Sequence, residues 1–320
     1  MKNPTLMLAA VLAFALLVYE LVIGNVFFAH MVIMAAINTV LVSGLSLVAR
    51  TGRLSFGHSA FAATSAYVCA ILTMQAGLSW LLAAVAGITA ATLLAWLLGS
   101  VIVRLRGVYF VLLTFAFAEF VRLVLLEFPG TTGGASGLAE IPPLSIGGFV
   151  LTGTSPWLVF SVTICIVLTL LINRFFKTSA GKEYLSVNDN PELAESTGIS
   201  ASSVQLASFV VGGAITGLGG ILMSTYIEFI SPESFNIHLS ITLVTMLVIG
   251  GLNSSWGPII GAIFLTPLPE ILRGAQEYQH LFYGIVLVAI LMLRPKGLVS
   301  FFSTVPTVDG HHDSEGEKSA

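Results

Sequence analysis

Long apolar runs separated by short polar breaks occupy most of the chain. A helix needs about 20 apolar residues to cross the hydrocarbon core of a bilayer, and runs such as 80–103 reach that length. The runs lack the polar–apolar alternation of membrane β-barrel strands. The pattern therefore predicts an all-α polytopic integral membrane protein with about ten transmembrane helices, at residues 6–23, 28–49, 55–75, 80–103, 108–128, 156–175, 204–226, 239–250, 258–272 and 281–293.

A polar segment at residues 177–203 carries an unusual share of the charge. Seven of the 29 charged residues, 13 basic and 16 acidic, lie between Arg174 and Glu195. The segment separates the sixth and seventh predicted spans, so we expect it to lie on one face of the membrane. It interrupts what is otherwise a single transmembrane domain, residues 1–302.

Signals for a short helix lie within this polar segment. Asn190 can cap a helix, Pro191 suits its first position, and Glu192 lies where the helix dipole favours an anion. Gly198 can end the helix. We therefore expect a helix at about 191–197 beside the membrane, either as part of a solvated loop or as a docking helix for a partner protein.

Composition and charge support this picture and orient it. Only 9% of the residues are charged, against roughly a quarter in a soluble domain, and the mean hydropathy is +0.96. If the N-terminus is cytoplasmic, eleven of the 13 lysines and arginines fall on the cytoplasmic side, leaving Arg122 and Arg273 outside. This distribution satisfies the positive-inside rule. Residues 177–203 and both termini are then predicted to be cytoplasmic.

The ends of the chain and its cysteines carry further expectations. Residues 6–18 resemble the apolar part of a signal peptide, but no clean cleavage site follows, so an uncleaved first helix is expected. The polar tail at 303–320 contains four acidic residues and one lysine, which give the net charge of −3, and should be disordered in the cytoplasm. Cys69 and Cys165 lie in apolar runs, which favours neither a disulfide nor a metal site.

The sequence contains no evident energy source of its own. No GxxxxGK[ST] phosphate loop occurs, and the deep carboxylates are limited to Glu119 and, near the outer boundary, Glu127. An ion-driven carrier usually shows several intramembrane carboxylates. We therefore expect energy to come from another polypeptide that docks on residues 177–200. A secondary carrier or channel that acts alone is the alternative, and a scaffold without transport is a third.

Seven motifs occur in an order that resembles one protein family. They are TGRLSFGHSAF (51–61), RLRGVYFVLLTFAFAEFVR (104–122), TTGGASGL (131–138), GKEYLSVNDNPELAESTGIS (181–200), ISPESFNIHLSI (230–241), VIGGLNSSWGPIIGA (248–262) and RPKGL (294–298). This order is similar to that in the permease subunits of branched-chain amino-acid ABC importers. The second motif resembles the second of the two permease types in such systems.

The resemblance implies a type II ABC-importer-like permease in the bacterial inner membrane. Such a subunit pairs with a second related permease as a heterodimer, with two ATPase subunits and with a periplasmic solute-binding protein. Apart from these proteins it would contact lipid and no nucleic acid. It would perform no bond-breaking chemistry and would hold no catalytic residue, metal or cofactor, because ATP acts on the partner subunits.

The resemblance also implies a substrate and a coupling site. The substrate class would be leucine, isoleucine and valine or related amino acids, while urea, amides or aromatic acids are alternatives carried by the same architecture. The family's cytoplasmic loop meets the ATPase. In this sequence the corresponding residues are Gly181, Lys182, Asn190, Pro191, Glu192, Leu193, Glu195 and Gly198.

Glu119 and Arg122 are the first candidates for a substrate path. They are three residues apart on one predicted helix, so their side chains share a face and can pair. Burying either charge alone in hydrocarbon costs several kcal/mol. The pair is expected either to lock its helix or to line the path, where it would meet the ammonium and carboxylate groups of an amino acid.

Two further groups of residues are candidates for the same path. Ser55 and His58 lie in a glycine-containing segment near a span end, where their side chains can satisfy freed backbone groups. His58 is expected to form a helix–helix hydrogen bond rather than to bind a ligand. Gly133 and Gly134 lie in a loop predicted on the outer side, where the backbone could approach the substrate or the binding protein.

Overall fold

The computed structural model describes residues 25–105, 107–146, 149–271, 284 and 298. Helices form most of this part of the chain. They are α1 Val26–Ala49, α2 His58–Met74, α3 Trp80–Ile102, α4 Val108–Glu127, α5 Pro129–Thr132, α6 Thr154–Phe175, α7 Ser179–Asp189, α8 Pro191–Ser196, α9 Ala201–Ile227, α10 Ile237–Gly250, α11 Gly257–Leu265 and α12 Leu268–Ile271.

Short strands and 3-10 turns form the connections. The strands are β1 Leu138–Ala139, β2 Ser145–Ile146, β3 Phe149–Val150 and β4 Phe229–Ile230, and the 3-10 turns are Gly134–Ser136 and Pro232–Phe235. β1 pairs antiparallel with β4, and β2 pairs antiparallel with β3. The β1–β4 pair therefore ties the loop after α4 to the end of α9.

Six stretches of the described chain are long and apolar enough to cross a membrane. Five of them, α1, α3, α4, α6 and α9, agree with predicted spans to within three residues at each end. The sixth covers residues 232–250 and includes α10, whereas α2 has only 17 residues. The predicted span 258–272 is divided into α11 and α12. The predicted count of about ten is therefore not confirmed.

Several sequence predictions fall outside the described residues. These are the first span at 6–23 with its cleavage site, the span at 281–293 apart from residue 284, the tail at 303–320, and Arg273. The single-domain assignment to 1–302 and the positions of the termini stay predictions for the same reason.

Helices α1 and α9 form the centre of the bundle and approach each other closely. Small residues allow this, because van der Waals packing dominates helix association in membranes. A Cβ atom added at Gly212 would lie 2.6 Å from the carbonyl oxygen of Gly44 in α1. On another side of α9, Gly220 faces the backbone of Ala62 in α2, and Ser65 donates a hydrogen bond of 2.6 Å to the carbonyl oxygen of Gly217.

We expect Gly220→Ala to destabilise the bundle. The added methyl group would lie 2.7 Å from Cα of Ala62, so α2 and α9 would have to separate. Overpacking of this kind costs about 1–3 kcal/mol in the free energy of unfolding. The thermal unfolding midpoint of the purified protein in detergent measures the effect. Gly130→Ala is the control, because a Cβ there meets nothing within 4 Å, and an equal midpoint for both variants would contradict the expectation.

The two ends of the bundle differ in their contacts. At one end of the bundle, the C-terminal ends of α1, α3 and α6 lie beside helices α7 and α8. Because α7 and α8 form a helical hairpin, we call this the hairpin end. At the opposite end, β1 and β4 pair, Gln75 contacts the loop after α4, and Trp80 donates a hydrogen bond to Thr225. Each end carries one group of the predicted site residues.

Candidate functional site

Helices α7 and α8 form a hairpin, residues 179–196, that replaces most of the predicted loop. The side chain of Thr178 caps α7 by accepting a hydrogen bond of 3.3 Å from the amide of Gly181. The short helix predicted at about 191–197 is confirmed as α8. Helix α7 was not predicted, and α9 begins at Ala201, inside the segment 177–203.

Asn190 is the cap of α8, as the sequence predicts. Its side-chain oxygen accepts hydrogen bonds from the amides of Glu192 at 3.1 Å and Leu193 at 3.0 Å. Pro191 occupies the first helical position, and Gly198, with φ of +88°, follows the helix end. These contacts fix both the start and the direction of α8.

We expect Asn190→Ala to loosen α8 without unfolding the bundle. Loss of an N-cap side chain costs about 1 kcal/mol, because backbone donors of the first turn lose their acceptor. Hydrogen exchange of the amides in residues 192–197 should become about fivefold faster, which is the equivalent of that free energy. Ser186→Ala, which removes a hydroxyl bonded only within α7, is the control and should leave these amides unchanged.

The hairpin has an inner face that packs and an outer face that is exposed. Inside, the ring of Tyr184 packs against the rings of Phe175 and Phe176 at the end of α6, at centroid distances of 5.1 and 6.1 Å. Burial raises the pKa of Tyr184, so its phenol stays neutral. Outside, Leu193 is 63% exposed. The exposed charged side chains of the hairpin include Lys182, Glu192 and Glu195.

Gly181 explains how α7 folds back onto α6. It is buried, and an added Cβ would overlap the carbonyl oxygen of Phe175 and lie 2.5 Å from Cα of Phe176. Only glycine permits this approach of one helix start to the preceding helix end. The hairpin is therefore held against the bundle by backbone contact as well as by its aromatic inner face.

A non-helical segment at residues 51–57, which we call the break segment, lies inside the bundle. The amide of Phe56 donates to the hydroxyl of Thr114 at 3.2 Å, and Thr114 is the seventh residue of α4, about 9 Å from its start. The hydroxyl of Ser240 in α10 donates to the carbonyl oxygen of Phe56 at 2.7 Å. Non-helical backbone at such depth requires burial or water. Here the hydroxyls of Thr114 and Ser240 satisfy the backbone of Phe56.

Ser55 and His58 belong to this break segment and the start of α2, and each is only 1% exposed. The hydroxyl of Ser55 accepts a hydrogen bond of 3.1 Å from the amide of Gly57, as expected for a side chain that satisfies freed backbone. The prediction that His58 forms a helix–helix hydrogen bond is wrong within the described residues. Neither ring nitrogen has a partner, because the ring packs edge-on against Phe61 and Phe209.

Glu119 and Arg122 form the predicted pair on α4. Nε of Arg122 donates to both carboxylate oxygens of Glu119 at 3.0 Å. Arg122 also bonds to Glu233, in the 3-10 turn before α10, through Nη1 at 2.5 Å. We call these three residues the charged triad. The side chain of Arg122 is 16% exposed, whereas Glu119 is 35% and Glu233 is 62% exposed.

Gly133 and Gly134 are placed in a turn near the triad, at the opposite end of the bundle. Both have positive φ, +76° and +54°. A Cβ on Gly133 would overlap the carbonyl oxygen of Gly137, and one on Gly137 would overlap that of Ile230 in β4. These glycines therefore permit a close approach to the chain's own backbone. The amide of Gly134 also donates a hydrogen bond of 3.2 Å to the hydroxyl of Thr132.

A polar cavity of about 380 Å³ lies at the hairpin end, between the hairpin and the neighbouring segments of the bundle. It lies between the break segment, the connection from α3 to α4, and helices α7 to α9. Its lining comprises Thr51, Gly52, Arg53, Val103, Arg104, Gly107, Val187, Asn188, Pro191, Glu195, Ala201, Ser202 and Gln205.

Comparison with known families decides the class of this membrane protein. Residues 27–291 match the family described as the permease component of the branched-chain amino acid transport system. The chain belongs to this family. The resemblance drawn from the seven motifs is therefore confirmed. The chain is a membrane permease subunit of an ABC importer.

Individual relatives agree with the family assignment. The permease is 31% identical over 286 residues to the high-affinity branched-chain amino acid transport system permease protein LivM of Escherichia coli (strain K12), covering 81% of this chain and 67% of that protein. It is 30% identical to LivM of Salmonella typhimurium, over 83% and 68% of the two chains. The autoinducer 2 import system permease protein LsrC of Photorhabdus luminescens is 29% identical over 36% of this chain and 38% of its own. No solved structure matches.

Sequence reasoning missed several residues that the permease structure brings to these sites. Glu233 completes the charged triad, and the hydroxyls of Thr114 and Ser240 hold the break segment. The signal for Glu233 is present in the sequence as an acidic residue in a motif that also contains Ser231 and Pro232. Nothing in the sequence pattern, however, links residue 233 to residue 122.

Proposed function

We propose that this chain forms one half of a transmembrane path that imports branched-chain amino acids across the bacterial inner membrane. A second related permease subunit would form the other half, two ATPase subunits would bind the hairpin, and a periplasmic solute-binding protein would deliver the substrate. The names of the two LivM relatives support this substrate class. The ATP would act on the partner subunits, and the chain itself needs no cofactor.

The observation that carries the proposal is the two-faced α7–α8 hairpin. Its inner face is packed against α6 and its outer face presents Leu193 together with charged side chains. An exposed apolar residue on a capped helix that is anchored to the bundle is suited to seat in a partner's groove and to transmit displacement. The residues proposed for ATPase contact are Gly181, Lys182, Asn190, Pro191, Glu192, Leu193, Glu195 and Gly198.

Charge supports a cytoplasmic position for the hairpin. Among the residues whose side chains the structure describes, six of the seven lysines and arginines belong to the hairpin end, and Arg122 alone belongs to the opposite end. Cytoplasmic loops carry such an excess of cations. The α7–α8 hairpin would thus meet the cytoplasmic ATPase, while the charged triad and the turn at Gly133 and Gly134 would lie nearer the periplasmic side.

The charged triad supports a path along α4. Charges that face hydrocarbon cost several kcal/mol, so Glu119 and Arg122 should face protein or water in the assembled importer. The same helix exposes large apolar side chains such as Leu112 and Phe120. We propose that the second permease covers this surface and that the triad meets the ammonium and carboxylate groups of the substrate. Ser55 and His58 would hold the break segment behind that path.

A second candidate is import of a different small solute through the same architecture. The matches to LsrC proteins, whose name gives autoinducer 2 import, favour it, and one of them covers 70% of this chain at 25% identity. The LivM matches are higher in identity and in coverage of this chain. We therefore retain branched-chain amino acids as the proposed substrate.

Reconstitution tests the proposal directly. The chain is assembled with the second permease, the two ATPase subunits and the binding protein in proteoliposomes that contain ATP on the ATPase side. We expect ATP-dependent accumulation of labelled leucine, with isoleucine and valine as competitors and urea and benzoate without effect. Leucine flux through the purified chain alone, without ATPase or binding protein, would support an autonomous carrier instead.

A further inference from the structure

The guanidinium group of Arg50 is the most deeply buried cation in the part of the chain that the structure describes. Arg50 follows α1 directly and is 2% exposed. Its Cζ atom lies 4.1 Å from the centroid of the Phe176 ring, and both Nη atoms lie 3.3 Å from the hydroxyl oxygen of Ser255. No carboxylate among the described residues pairs with it, and its Nε has no hydrogen-bond partner there.

The arrangement of helix ends explains how this charge is tolerated. Helix α1 ends at Ala49, α6 ends one residue before Phe176, and α10 ends at Gly250, shortly before Ser255. The C-terminal end of each helix carries partial negative charge, which stabilises a nearby cation. The ring of Phe176 adds a cation–π interaction. The position of Arg50 therefore depends on the relative placement of three helices.

The α7–α8 hairpin reaches Arg50 and its neighbours by two separate contacts. Tyr184 packs against Phe176, and Phe176 in turn contacts Arg50. One turn further along α7, Asn188 lies against Gly52: a Cβ built on Gly52 would be 3.5 Å from the Oδ1 atom of Asn188. A displacement of the hairpin would therefore act on residues 50–52.

Arg50 directly precedes the break segment, and residues 51 and 52 are its first two residues. Phe56 in that segment is bonded to Thr114 in α4 and to Ser240 in α10. Helix α4 also carries Arg122 of the charged triad. A contiguous series of contacts thus runs from the hairpin through Arg50 and the break segment to α4.

We propose that Arg50 is a positioning residue that transmits motion of the α7–α8 hairpin to the break segment and α4. The proposal rests on the proposed function, because it takes the hairpin as the contact of the ATPase. Arginine suits this role, since its planar group stacks on Phe176 and reaches Ser255 with two nitrogens at once. A lysine ammonium group is a compact charge that cannot do both.

The test uses the complete importer in proteoliposomes and measures leucine molecules imported per ATP hydrolysed. The variants are Arg50→Met, Arg50→Lys and Phe176→Leu, and Arg174→Met is the matched control, an exposed arginine in the last turn of α6 at the same end. We expect both Arg50 variants to lower this ratio about tenfold, a usual size for coupling between two sites, while the ATPase rate and membrane abundance change less than about twofold. The control should keep the wild-type ratio.

A double variant separates transmission from simple loss of packing. If Phe176 acts through Arg50, Phe176→Leu lowers the ratio on its own but has little further effect in the Arg50→Met background. The proposal is overturned if Arg50→Lys restores the wild-type ratio, if import and hydrolysis fall together with abundance, or if the two substitutions are fully additive. Should the Arg50 variants fail to reach the membrane, Phe176→Leu alone decides. Absence of ATP-dependent import by the unsubstituted complex would instead contradict the proposed function.

Discussion

Leu193→Asp is expected to abolish ATP-driven uptake while the permease stays folded. Leu193 is 63% exposed and makes no contribution to the buried inner face of the hairpin, so the thermal unfolding midpoint should not change. A carboxylate in an apolar seat of the ATPase would be desolvated without a partner. Loss of one anchor residue at an interface costs about 2 kcal/mol or more, which corresponds to at least about thirtyfold in affinity.

The measurement combines co-purification of the ATPase subunits with uptake in proteoliposomes. We expect Leu193→Asp to reduce both, and Pro191→Gly in addition to loosen α8 and to deepen the loss. Ser203→Asp places the same charge at the start of α9, on the same end of the bundle but outside the hairpin, and should retain uptake. If the Leu193→Asp variant kept wild-type coupling, the proposal that the hairpin contacts the ATPase would be contradicted.

Arg122→Gln is expected to have the second large effect, and a larger one than Glu119→Gln. Among the described residues, Arg122 is the only cation that contacts the two carboxylates of the charged triad, so its removal leaves Glu119 and Glu233 close together without their described counter-charge. An unpaired charge at membrane depth costs roughly 3 kcal/mol. Glu119→Gln keeps a hydrogen-bond acceptor for Arg122 and leaves Glu233 as its ionic partner.

Leucine uptake and membrane abundance are measured together for these variants. We expect Arg122→Gln to lower uptake per molecule in the membrane by about tenfold or more, and Glu119→Gln to lower it by less. The double variant should regain part of the abundance, because it removes one of the two uncompensated carboxylates. Glu127→Gln, at the end of the same helix, is the control. If both single variants only lower abundance, the triad is structural and does not line the path.

The long helices could be predicted from the sequence because one physical requirement determines them. A run of apolar residues that must cross hydrocarbon becomes a helix, since no other local structure satisfies its backbone there. The start of α8 was equally predictable, because the cap by Asn190 and the fit of Pro191 depend only on neighbouring residues. Such local rules account for most of the fold in the described part of the chain.

Features that depend on distant contacts could not be predicted in this way. The apolar run 55–75 contains the break at Phe56 and Gly57, which is stable only because Thr114 and Ser240 supply hydrogen-bond partners. Helix α7 was missed because Gly181 has low helix propensity. Gly181 allows α7 to approach the end of α6 closely, and this contact is visible only in three dimensions.

The polar cavity of about 380 Å³ beside the hairpin has a pharmacological consequence. Its size is within the range that holds drug-like ligands. Because its walls belong partly to the α7–α8 hairpin and partly to the connection between α3 and α4, a compound wedged there would clamp the two together. In the proposed orientation and assembly, an inhibitor of this kind would act from the cytosol, would leave the solute-binding protein free to capture its ligand, and would not compete with nutrient outside the cell.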